Sequence, residues 1–136
     1  MNRVNQYQKI QVMTADGVRL IIMLYDGILR FNKCAQLAMS GSDISGRNTN
    51  INKSLAIITE LSTSLNMEQG GEVARNLARL YDFSTQQLTL ANLRNEPALI
   101  DSVSKVIAEL KSGWEAIATE RASNSEHPAK SVSYGI

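Results

Sequence analysis

Four successive stretches of this chain repeat apolar residues at alternating three- and four-residue steps, a spacing that admits packed α-helices and little else. The cleanest follows Pro97: Ile100, Val103, Ile107, Leu110, Trp114 and Ile117 keep heptad spacing, while Asp101, Lys105, Glu109 and Lys111 form a solvated outer face. Over 16–39 the row is Val18, Ile21, Tyr25, Ile28 and Ala35, interrupted by Asn32, with a second row of Leu20, Leu24, Phe31 and Cys34. Over 71–92 the main row is Ala74, Leu77, Tyr81, Ser84, Leu88 and Ala91, beside Val73, Leu80, Phe83 and Leu90. Between these, 51–66 carries Ile51, Leu55, Ile58 and Leu65 on one face, with Ile57 and Leu61 alongside. Two prolines and eight glycines leave no room for the many turns of an all-β chain.

Local signals punctuate the four helices. Thr14 or Asp16 can accept hydrogen bonds from the first free amides of the first helix. The polar stretch 40–50, with Gly41 and Gly46, reads as the longest internal loop. NMEQGG breaks the second helix from the third, and Pro97 suits the first turn of a fourth that ends near 121. At a rise of about 1.5 Å per residue the helices are of comparable length. Short connections favour antiparallel neighbours. The expected fold is all-α, an antiparallel up-down-up-down four-helix bundle forming one domain over 1–136. Its ordered part covers about 15–121, between a mobile N-terminal segment and a polar, aperiodic, mobile tail over 122–136.

Composition narrows the function. Lys and Arg total 14 against 13 for Asp and Glu, a net charge of +1, which lacks the basic stripe of a nucleic-acid binder. A single cysteine, Cys34, permits no internal disulfide, and the only histidine, His127, sits in the polar tail with nothing to hold it. No Cys/His cluster suggests a metal, and Gly70-Gly71 is followed by no Lys-Ser/Thr, so it is no phosphate loop. Catalysis, cofactor and metal are therefore not expected. No run approaches the roughly 20 apolar residues of a membrane helix, and the N-terminus lacks a secretion signal, so the expected location is the cytosol.

Three helices carry a second apolar row, more than an isolated bundle needs. A broad core-facing stripe explains any one of them. Three together favour a groove that captures an amphipathic partner. On residues alone, a helical adaptor for some other client, such as an anti-sigma factor, and a structural homo-oligomer remain open.

Two blocks narrow that choice. TADGVRLIIMLYDGILRF over 14–31 and LNMEQGGEVARNLARLYDF over 65–83, with Tyr7, Ala91-Asn92 and Trp114, resemble the flagellin export chaperone family, FliS, across about 7–117. Two departures stand out. Asp16-Gly17-Val18 replaces the family's usual Ser-Pro-Glu, and Phe83 stands where a tyrosine is frequent. The resemblance implies a cytosolic chaperone, without ATPase activity, that binds the C-terminal segment of flagellin. It implies that the segment is disordered when free and wraps the bundle, that premature polymerisation is prevented, and that the client passes to the flagellar type III export apparatus. It leaves a co-chaperone or anti-sigma factor open as a further partner. The free protein is expected to be a monomer, with no nucleic acid and no membrane insertion.

For the client groove the expected residues are Ile57 and Leu61 from helix two, Leu80, Phe83 and Leu90 from helix three, and Tyr7 and Ile10 from the N-terminal segment. That segment is implied to lie near the client site. Structural roles are expected for Tyr25, Asp26, Gly27, Asn66, Gly70, Gly71, Tyr81 and Trp114. Gly27 suits close approach of a neighbouring backbone, Gly70 and Gly71 the turn into helix three, and Trp114 the core. Asp26 can accept from a tyrosine hydroxyl or pair with a basic residue.

Overall fold

The computed structural model describes residues 15–124, which form four α-helices. They are α1 (Ala15–Ser40), α2 (Ile44–Thr63), α3 (Met67–Arg94) and α4 (Pro97–Asn124). Each helix packs chiefly on two neighbours, in the cyclic order α1, α2, α3, α4. Bonds between α1 and α4 run oppositely along the two helices: Gln36 donates to Asp101 at 2.7 Å, Asn32 to Ser104 at 3.0 Å, and Lys111 pairs with Asp26 at 2.6 Å. The neighbours are thus antiparallel, and the bundle is up-down-up-down.

The heptad rows supply the core. Tyr25, Ile28, Ile51, Ile58, Leu88, Ile100 and Ile107 are fully buried along the shared axis. One buried layer is polar. Ser54 donates to Asn32 Oδ1 at 2.7 Å while Asn32 Nδ2 donates to Ser104, so the residue that interrupts the α1 row joins three helices with its amide satisfied. A satisfied polar layer costs little and penalises any slip of register that would strand it.

Three helix boundaries differ from the sequence expectation. The stretch expected as a loop over 40–50 is mostly helix: only 41–43 connect α1 to α2. Asp43 caps α2 by accepting from the Gly46 amide at 2.9 Å, and Arg47 donates to Asn92 and Asn95 at 2.9 and 3.1 Å. This first part of α2 is held by a cap and by side-chain bonds to α3, so no apolar period marks it. Helix α3 begins at Met67, not near Gly71, because Asn66 accepts from the Gln69 amide at 3.1 Å. It kinks at Gly71, whose φ of 53° and ψ of −127° suit a residue without a Cβ. Helix α4 continues to Asn124, through the first residues of the expected tail, which have no glycine or proline to stop it.

Candidate functional site

Bonds between neighbours fix which flank of each helix faces which partner. On α1, a Cβ built on Gly27 would meet Ile57 of α2 at 3.0 Å, whereas Asp26, Asn32 and Gln36 reach α4. Successive helical residues turn by about 100°, so Leu20, Leu24, Phe31 and Cys34 share the Gly27 flank. Lys53 of α2 lies over the Phe31 ring at 5.3 Å, and Arg30 lies over it at 5.1 Å. The outer α1/α2 seam is therefore apolar with two cations at its middle. Gly27 is buried against the Ile57 side chain rather than against a backbone as expected.

The same reasoning sets the other side. On α3, Asn92 reaches α2, so Leu80, Phe83, Gln87 and Leu90 occupy the flank turned to α4. On α4, Asp101, Ser104 and Lys111 reach α1, so Leu99, Val106, Leu110 and Ile117 turn to α3. A second apolar seam thus lies between α3 and α4, on the side of the bundle opposite the first.

These placements alter the expected groove. Ile57 lies half-buried on the α1/α2 seam, while Leu80, Phe83 and Leu90 lie on the α3/α4 seam, so the residues grouped from the sequence occupy two opposite surfaces. Leu61 is not a surface residue: at 5% exposure it belongs to the core, because its position falls between the Ile58 row and the Ile57 flank. Phe83 is 37% exposed. Tyr7 and Ile10 lie outside the described residues. Phe31, Lys53 and Arg30 were not expected at a site; only the second apolar row hinted at Phe31. Leu99 and Val106, seven residues apart beside the α4 heptad row, were legible but overlooked.

Three of the residues expected to be structural, Tyr25, Tyr81 and Trp114, meet behind the seams. The Tyr25 and Tyr81 hydroxyls lie 2.6 Å apart, with their rings edge-on at 6.5 Å, and Trp114 Nε1 donates to Tyr25 at 3.2 Å. This chain ties α1, α3 and α4 together. Burial pushes both tyrosines above the usual phenol range, while for Tyr25 the bonds to Tyr81 and Trp114 act against that shift. Trp114 is half-buried against the core rather than within it. Of the two partners open to Asp26, Lys111 is the one found; its ammonium is held above the ordinary lysine range, first by its hydrogen bond to that carboxylate. Asn66 caps α3, and Gly71 sets its kink. Among the described residues no helix is long and apolar enough to cross a membrane, and no group of three or more His, Cys, Asp or Glu side chains is placed to hold a metal.

Residues 1–121 match the family model described as Flagellar protein FliS. The Flagellar secretion chaperone FliSB of Pseudomonas aeruginosa is 39% identical over 121 residues, covering 86% of this chain and 96% of its own length. The Flagellar secretion chaperone FliS of Vibrio cholerae is 36% identical over 118 residues, covering 84% and 87% respectively. That of Salmonella typhimurium is 35% identical over 107 residues, covering 78% and 79%.

Proposed function

The chain belongs to the FliS family, a family of flagellar secretion chaperones, and on that premise we propose that its client is the C-terminal segment of flagellin, held across both outer seams of the bundle. The observation that carries this reading is the pair of apolar seams on opposite sides, α1/α2 and α3/α4. Partly exposed apolar side chains in two separated strips suit a long segment that crosses the bundle, whereas a single pocket suits a compact ligand.

Such a client is disordered when free and orders on the chaperone. The ordering opposes part of the contact energy, so the complex stays specific yet releasable at an export gate. Covering the segment keeps it from pairing with other flagellin subunits before export. The chaperone works in the cytosol as a monomer, delivers its client to the flagellar export apparatus, and does so without catalysis.

Calorimetry with the C-terminal segment of the cognate flagellin tests the reading. One-to-one binding with a negative heat-capacity change, competed by full-length flagellin, is expected. No heat and no competition overturns it.

A further inference from the structure

The geometry points to a carboxylate-recognition point at Phe31: an acidic side chain of the bound client seats between Arg30 and Lys53, with apolar client residues on either side of it. This rests on the chaperone reading above and specifies what one of its two seams selects.

Arg30 and Lys53 come from different helices, yet both cations converge on one aromatic ring, at 5.1 and 5.3 Å from its centroid. Each gains a modest attraction from the ring face. Among the described residues neither has a carboxylate at ion-pair distance. Asp26, four residues before Arg30 and on the same face of α1, is engaged instead by Lys111 at 2.6 Å. The two cations are therefore a matched, unneutralised pair in the middle of an apolar strip that runs from Leu24 and Ile57 to Cys34.

An incoming segment that covers this strip removes water from around the pair. Lowering the local dielectric strengthens an ion pair and penalises an unpaired cation. A client with a carboxylate here and apolar residues one turn before and after it satisfies both demands; a client with a lysine here meets two like charges.

The chain's own N-terminal segment does not fit this role. Residues 1–14 carry Arg3 and Lys9 and no Asp or Glu. Residues 125–136 do contain one acid, Glu126, so the tail is the competing occupant to test.

The experiment titrates the cognate flagellin C-terminal segment into the full chain and into the double variant Arg30→Gln/Lys53→Gln, at several salt concentrations. The expected result is an affinity loss of about tenfold at low salt and a flatter salt dependence, with the thermal midpoint unchanged. Neutralising the client's acids one at a time is expected to find one whose loss weakens the full chain but not the double variant. Binding by the double variant with unchanged affinity and salt slope overturns the proposal and leaves the chaperone reading standing. A full chain that does not bind the segment at all overturns the chaperone reading, and this proposal with it. If removing residues 125–136 abolishes the difference between the full chain and the double variant, Glu126 is the occupant and the proposal is overturned.

Discussion

Replacing Tyr25 by phenylalanine removes the oxygen that accepts from Trp114 at 3.2 Å and that contacts the Tyr81 hydroxyl at 2.6 Å. Tyr25 is wholly buried and Tyr81 is 2% exposed, so neither phenol turns to water without opening the bundle. Each lost bond of this kind is worth about 1 kcal/mol net, and a buried donor left bare adds about 1 more. Tyr25→Phe strands Tyr81 and leaves the half-buried Trp114 N–H without its acceptor, so its expected cost is about 3 kcal/mol. Tyr81→Phe leaves Tyr25 bonded to Trp114 and is expected to cost about 1.5 kcal/mol. In the double variant the stranded Tyr81 hydroxyl is gone as well, which returns about 1 kcal/mol, so the expected cost is about 2 kcal/mol, below that of Tyr25→Phe alone. The two changes thus couple by about 2.5 kcal/mol. Urea denaturation of the four proteins followed by circular dichroism, with slopes compared to check that unfolding stays two-state, measures the cycle. Additive costs, or a Tyr81→Phe variant less stable than Tyr25→Phe, refute the chain of bonds as described.

Other outcomes follow from single residues. Leu77→Asp places a charge at an 8% exposed core position and is expected to cost more than about 4 kcal/mol. Phe83→Asp is expected to cost less than about 1 kcal/mol in the free chaperone while weakening client binding at least tenfold, so equal melts for the two place the α3/α4 seam in the core. Tyr25, Tyr81 and Lys111 all have folded pKa values raised above their ordinary ones, so the stability they contribute is present below about pH 10 and is lost as pH rises beyond it. A denaturation midpoint that rises above pH 10 contradicts this. Gly71→Ala is expected to destabilise by about 1–2 kcal/mol, although nothing lies within 4 Å of the added methyl, because its φ is 53°. Gly113→Ala, at an equally open but ordinary helical position, is expected to stabilise by about 0.5–1 kcal/mol. The same sign at both positions in thermal melts refutes the distinction.

What the sequence made legible follows physical lines. Rows such as Ala74–Leu77–Tyr81–Ser84–Leu88–Ala91 name the inward face of a helix because burial imposes the period, and all six are buried. The start of α2 has no such row: Asp43 and Arg47 hold it by hydrogen bonds, which leave no periodic trace. A second row shows that a helix has an apolar flank but not which neighbour that flank faces. That depends on the turning sense of the bundle, which is why Ile57 and Phe83 read as one groove and lie on opposite sides. The partner of Asp26 is likewise a tertiary fact, since Lys111 is remote in sequence and adjacent only once α1 and α4 pack.

The claim that the client spans both seams is tested most directly by hydroxyl-radical footprinting of the chaperone, free and saturated with the cognate flagellin C-terminal segment. The account predicts that binding protects Phe31 and the 65% exposed Met23 beside the α1/α2 seam, and Phe83 and Ile117 on the α3/α4 seam, while Ile44, at the end of the bundle, reacts as before. Protection confined to one seam, or appearing instead between α2 and α3, contradicts it.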